Sequence, residues 1–325
     1  MLVDSFGRQI TYVRLAVTDR CNLRCFYCMP AEGIDYVPKN DLLSFEEMER
    51  MVSILTTLGV TKVRITGGEP FVRRDLMQFL RKLRTNSALE ELHITTNGVL
   101  TGDYIQQLKD IDISSINLSL DTLDKARFKN ITRRDEFDTV MATYGKILDQ
   151  HIPLKVNMVV MKGKNEEDII PMAKLSLEDN VSVRYIEEMP FNGTGTAHNV
   201  IDYKEIISVL EGEFGQLQRI EDPLNSTAYH YKAPYSKGNL GVIAAYSRTF
   251  CGSCNRIRIT SEGTMKNCLY DSGGLNLRDL MRSGYSDKEL SESLKKAIMG
   301  KHKDGWAAEA NRQSQSFESM SSIGG

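Results

Sequence analysis

The sequence predicts an α/β fold, a partial, open (β/α)6 barrel of the TIM type followed by a C-terminal α+β extension. Three observations carry this. From Tyr12 to about Glu188, six short β-rich runs alternate with amphipathic helical runs, the pattern of parallel βαβ units with right-handed crossovers. Six such strands are too few to close an eight-stranded barrel. Past residue 200 the alternation gives way to one helix, several short strands and two more helices. A doubly wound open sheet has the same periodicity, which does not separate the two arrangements.

The strands are expected at 13–17, 62–66, 91–95, 115–120, 154–160 and 182–186, each rich in Val, Ile or Leu. Between them, helical spacing of apolar residues marks 45–58, 76–83, 104–108, 137–148 and 169–177. The first helix opens on Ser44-Phe45-Glu46-Glu47, a capping box. Asn192 to Asn199, with two glycines and two threonines, reads as a linker. A helix at 203–214 follows, then strands at 229–231, 241–245, 256–260 and 264–266, then helices at 277–282 and 287–298. The last stretch, 307–325, is small and polar, and by composition alone would be a disordered tail. The expected units are 1–191, the barrel; 192–306, the C-terminal domain; and 307–325, the tail.

Composition narrows the function. The 325 residues can bury a sizeable core. With 26% charged residues and a net charge of −2, the chain carries no electrostatic footprint for nucleic acid or an acidic membrane. No apolar run approaches the roughly 20 residues of a membrane span. Met1 to Arg14 lacks the apolar core of a signal peptide, so the expected location is cytoplasmic. In that reducing compartment clustered cysteines are metal ligands or catalytic thiols more often than disulfides.

All six cysteines fall into two sets of three: Cys21, Cys25 and Cys28, and Cys251, Cys254 and Cys268. A structural zinc site takes four protein ligands, and no histidine lies near either set; the one nearest in sequence to the first is His93. A four-iron cluster usually takes four thiolates, so three leave one iron open to a non-protein ligand. A zinc knuckle at the second set would need a distant fourth ligand such as Asp271. Cations form a second pattern. Arg14, Arg64, Lys155 and Arg184 occur once per strand in otherwise apolar runs, and Arg256 and Arg258 are two apart on one face. If those faces point inward they require anions, which a triphosphate supplies; the alternative is strand ends in solvent or pairing with Asp and Glu.

The C-x3-C-x2-C spacing, with Tyr27 before the last cysteine, resembles the signature of radical S-adenosylmethionine enzymes. Gly67-Gly68-Glu69-Pro70 after the second strand resembles their GGEP motif. That resemblance implies a [4Fe–4S] cluster on Cys21, Cys25 and Cys28. Its open iron is chelated by S-adenosylmethionine, whose reductive cleavage releases a 5′-deoxyadenosyl radical. It places Tyr27, Gly68, Ser119 and Met189 at S-adenosylmethionine. The whole pattern, including Gly7-Arg8, Thr95–Gly98, Cys251–Arg258 and the terminal Gly324-Gly325, is similar to the GTP 3′,8-cyclases of molybdenum cofactor biosynthesis, which are lyases. The resemblance implies a second [4Fe–4S] cluster on Cys251, Cys254 and Cys268 that binds the purine of GTP. It implies GTP contacts from Arg14, Arg64, Thr95, Lys155, Arg256, Ile257 and Arg258, and a tail that brings Gly324 and Gly325 into the site. No catalytic side chain is implied beyond the clusters and bound S-adenosylmethionine. The implied partners are GTP, an external one-electron reductant of the flavodoxin type, and a cyclic pyranopterin monophosphate synthase that takes the product; family members are often homodimers. Two other readings are a radical enzyme acting on another substrate, such as a peptide, and a non-enzymatic zinc- or cluster-binding module.

Overall fold

The computed structural model describes residues 1–191, 200–312 and 318–324; the linker expected at 192–199 and Gly325 lie outside the described residues. Among the described residues the strands form one sheet. In chain order they are β1 Tyr12–Ala16, β2 Lys62–Thr66, β3 Glu91–Thr96, β4 Ser115–Ser119, β5 Leu154–Val160 and β6 Ser182–Glu187. Then come β7 Gln218–Arg219, β8 Ala228–Lys232, β9 Asn239–Ile243, β10 Arg256–Ile259, β11 Thr264–Lys266 and β12 Leu275–Asn276. The spatial order is β12-β11-β10-β1-β2-β3-β4-β5-β6-β9-β8-β7, so the first six strands lie in sequence order at the centre and the sheet stays open.

The parallel set is larger than the six expected. β10 runs parallel to β1 and β9 parallel to β6, so both edges of the six-stranded core are extended by segments from the C-terminal third. Antiparallel β11–β12 and β7–β8 complete the two ends. Alternation along the strands sorts the two faces. Val13, Leu15, Val63 and Ile65 are fully buried in the main core beside Met48, Leu55 and Leu80 of the covering helices. The opposite face carries Tyr12, Arg14, Arg64, Asn117, Lys155 and Asn157, which line a cavity. A doubly wound sheet would bury both faces under helices; here one face is left for ligands, as in a partial barrel.

The first helix is capped as the sequence suggested. Ser44 Oγ accepts from the Glu47 amide at 3.1 Å while Glu47 Oε2 accepts from the Ser44 amide at 2.7 Å, closing the N-terminus of helix Phe45–Thr57. That helix stacks Phe45 on Phe79 of helix Leu76–Arg84, ring centres 4.6 Å apart. Helix Lys125–Thr132 was not anticipated, although Asp124 is a proper cap whose carboxylate accepts from the Arg127 amide at 2.6 Å. The C-terminal stretch is also more ordered than its composition suggests, with helices at Gly305–Ala310 and Met320–Ile323. No helix among the described residues is long and apolar enough to cross a membrane.

Candidate active site

A cavity of about 590 Å³ occupies the concave face of the sheet, and all six cysteines line it. The loop after β1 carries the first three. It is tied to helix Lys125–Thr132 by the Arg24 amide donating to Thr132 O (2.9 Å) and the Phe26 amide to Ile131 O (3.2 Å). The amides of Cys28 and Met29 both donate to Cys25 O, at 2.9 and 3.0 Å, winding the loop into a tight turn. Asn97 Nδ2, at the end of β3, lies 3.6 Å from Cys21 Sγ and 2.7 Å from Asn22 Oδ1.

Gly67 and Gly68 serve this loop directly. The Gly68 amide donates to Thr18 O at 2.8 Å and the Glu69 amide to Arg20 O at 2.8 Å. A Cβ on Gly68 would lie 2.3 Å from Arg20 O, so the close backbone approach expected here toward a ligand is first an approach to the cysteine loop itself. Glu69 is buried and accepts from the Asn97 amide (2.8 Å), Thr96 Oγ1 (2.9 Å) and the Phe71 amide (3.2 Å). Burial raises its carboxyl to about 7 against those donors. Glu69 thus fixes the ends of β2 and β3 beneath the loop. Gly68→Ala is expected to destabilise the fold by about 1–3 kcal/mol through overpacking and to lower iron bound at the first set. Thermal unfolding and iron analysis of the reconstituted protein check this.

Tyr27, Gly68, Ser119 and Met189 all face the cavity. The Tyr27 hydroxyl donates to Asp121 Oδ2 at 2.8 Å, and Asp121 Oδ1 accepts from the Val159 amide at 2.9 Å. The first loop is thereby braced against the ends of β4 and β5.

The second set is built on a short turn, Cys251–Ser253, that leads into β10, and on the segment after β11. Burial would raise the Cys254 thiol, but the nearby Lys301 and Arg256 outweigh it and hold the thiol at about 7. Burial pushes Cys28 to about 12 and Cys21 to about 11. All six cysteines are free thiols. Among the described residues no three Cys, His, Asp or Glu converge closely enough to hold a single metal ion. Three thiols fall one short of a structural zinc site, whereas a cubane held by three thiolates keeps one iron open. The donor sets fit clusters.

Between the two sets the wall is cationic. β1 and β10 place Arg14 beside Arg258, and β1 and β2 place Arg14 beside Arg64. Lys155 of β5 and Arg184 of β6 face the same cavity. Burial first, then neighbouring Arg258, lowers Arg14 to about 9. Burial, then Arg184 and Arg64, lowers Lys155 to about 7. Tyr12, despite burial, is drawn down to about 8 by Arg64 and Arg14, and its hydroxyl oxygen accepts from Arg64 Nε at 2.6 Å. So many like charges in one wall are costly without an anion. Thr95 and Arg256 also line the cavity. Ile257 does not: its side chain is 1% exposed and packs into the main core, as alternation between Arg256 and Arg258 requires. Any ligand contact it makes is through its backbone.

The tail enters this site. Arg258 Nη1 donates to Gly324 O at 2.5 Å. Gly324 has φ of +77°, and a Cβ there would lie 2.7 Å from Thr66 Oγ1 and 3.2 Å from Ala16 Cβ. Ser319 Oγ donates to Cys28 O at 2.6 Å and the Met320 amide to Phe191 O at 2.9 Å. Sequence reasoning missed Asn117 and His230, which also line the cavity with Asn97 and Asn157. Asn117 shares strand parity with Ser119, a signal that was available.

Residues 15–176 match the radical SAM superfamily and residues 181–306 the molybdenum cofactor synthesis C family. The GTP 3′,8-cyclase of Desulforamulus reducens is 38% identical over 314 residues, 94% of this chain and 97% of that one. The molybdenum cofactor biosynthesis protein moc-5 of Caenorhabditis elegans is 39% identical over 92% of this chain but only 50% of its own length, so this chain spans about half of that relative. Among solved structures, Streptococcus suis SuiB bound to S-adenosylmethionine superposes with a TM-score of 0.62 at 17% identity, covering 88% of this chain and 68% of that one; it shares the fold. The fold and the paired cysteine sets define a radical S-adenosylmethionine protein with iron–sulfur clusters as cofactors. Within that class the chain belongs to the GTP 3′,8-cyclase family.

Proposed function

We propose that this protein converts GTP to (8S)-3′,8-cyclo-7,8-dihydroguanosine 5′-triphosphate, the first step of molybdenum cofactor biosynthesis. The observation that carries the reading is the cation-lined cavity with a three-cysteine set at each end. Cys21, Cys25 and Cys28 hold one [4Fe–4S] cluster, and Cys251, Cys254 and Cys268 hold the other. With S-adenosylmethionine bound, the first cluster would supply a 5′-deoxyadenosyl radical to take the C3′ hydrogen of GTP; bonding of C3′ to C8 would then leave a purine radical that one further electron and a proton convert to the 7,8-dihydro product. Tyr27, Gly68, Ser119 and Met189 position S-adenosylmethionine. Arg14, Arg64, Lys155, Arg256 and Arg258 hold the triphosphate, with Thr95 and the Ile257 backbone as further GTP contacts, and the purine lies toward the second set. Gly324 takes up space beside Thr66 and Ala16. No side chain need act as a general base for hydrogen-atom transfer or ring closure. A flavodoxin-type reductant supplies the two electrons, one for cofactor cleavage and one for the cyclised radical, in the cytoplasm, and cyclic pyranopterin monophosphate synthase takes the product.

Anaerobic incubation with S-adenosylmethionine, dithionite and GTP deuterated at C3′ tests the reaction. The reading requires deuterium in 5′-deoxyadenosine and one cyclised nucleotide per cofactor cleaved. Cleavage without deuterium transfer rejects GTP as the substrate.

Lys155 gives the binding step a pH signature. Its ammonium titrates near 7 without ligand because burial and Arg184 disfavour the charge; a bound phosphate favours the charge and raises that value. Affinity is therefore full below about pH 7 and falls as pH rises above it, by up to about tenfold per unit. Calorimetry in buffers of different ionisation enthalpy should show proton uptake at pH 8 that Lys155→Arg reduces.

A further inference from the structure

Three buried cations surround the second cysteine set without belonging to the cavity's phosphate-facing row, and their partners differ. Lys266 is 1% exposed, donates to Asp271 O at 2.9 Å and pairs with the Glu318 carboxylate. Arg248 pairs with Glu309 Oε2 at 2.7 Å and lies over the rings of Tyr270 and Trp306, 3.5 and 3.8 Å from their centres. Lys301 is different. It is 3% exposed, directly follows the helix Asp287–Met299 and its Gly300 cap, and forms no ion pair with a carboxylate among the described residues. Its ammonium donates to two backbone carbonyls, Arg256 O at 2.9 Å and Asn267 O. Those carbonyls sit two residues after Cys254 and immediately before Cys268. An ammonium has three donors and a full charge, and a charge taken from water requires an anion. Carbonyl dipoles alone leave that charge unneutralised.

We propose that Lys301 is the counter-ion of the second iron–sulfur cluster, bracing the two segments that carry Cys254 and Cys268 and setting the cluster's reduction potential. The inference rests on the reading that this set holds a cluster. Three thiolates outweigh the two positive charges of an oxidised four-iron core, so the site is net negative and becomes more so when one electron is added. A fixed ammonium stabilises the reduced state more than the oxidised one, which raises the potential. Lys301 does not line the cavity, so it acts on substrate only through the cluster: it is a positioning residue.

The test is an EPR-monitored redox titration of the anaerobically reconstituted full chain, with iron content and thermal unfolding measured alongside, for wild type, Lys301→Met and Lys301→Arg. The expected result is a lower midpoint for the second cluster in Lys301→Met, an unmoved first cluster, and recovery toward wild type in Lys301→Arg. Full iron with unshifted potentials in Lys301→Met overturns the proposal. If Lys301→Met retains only the first cluster, Lys301→Arg decides: two clusters there support the role of charge, and one overturns it. A wild-type chain with one cluster signal and about four irons would reject the two-cluster reading itself, a separate outcome.

Discussion

Cys25→Ala is expected to abolish S-adenosylmethionine cleavage and to halve bound iron, from about eight to about four per chain. Cys25 sits at the centre of its loop, its carbonyl accepting from both Cys28 and Met29. Burial, then nearby Asp121, pushes its thiol well above the ordinary value. Cluster assembly on these sulfurs must therefore displace protons. With one sulfur gone, the remaining two cannot hold a cubane whose fourth iron is already without a protein ligand. The backbone hydrogen bonds of the loop do not involve the Cys25 side chain, so the fold should survive. Iron analysis, circular dichroism and assay of 5′-deoxyadenosine check the three parts together. Full iron content in this variant would show that the first set is not the ligand set.

Arg258→Ala is expected to weaken GTP binding by about 10- to 100-fold, the effect of losing about 1.5–3 kcal/mol from a charge-assisted hydrogen bond. Turnover should fall further than affinity, because the same guanidinium donates to Gly324 O and holds the tail in the cavity. Arg258→Lys keeps the charge but not the planar fork, so it should recover binding better than turnover. Equilibrium dialysis with GTP separates affinity from turnover measured at saturating GTP. Equal loss of both in the two variants would mean that the tail contact has no role of its own.

Much of this site is legible in the sequence because its chemistry is local. Each cysteine set lies in one short segment, and strand alternation alone puts Arg14, Arg64 and Lys155 on the polar face. What the sequence hides is partner choice. Nothing in the periodicity of β10 says that it pairs with β1 across more than 200 residues, yet that pairing brings Arg258 to Arg14. The parallel extension by β9 is hidden for the same reason. The tail looked disordered because its residues are small and polar; it is held by contacts with distant partners, Ser319 with Cys28 and Met320 with Phe191. Glu69 looked like one letter of a ligand motif, and its three hydrogen bonds show that it joins two strand ends. Ile257 was given a ligand contact by the family resemblance, and strand alternation turns its side chain into the core.

The central claim is that one cavity joins a radical-generating cluster to a second cluster that receives GTP. The measurement that tests it most directly is EPR of the dithionite-reduced, anaerobically reconstituted protein, with and without GTP, in wild type and Cys254→Ala. The account predicts two cluster signals in wild type, with GTP altering only the one that Cys254→Ala removes. A single signal indifferent to GTP would contradict it.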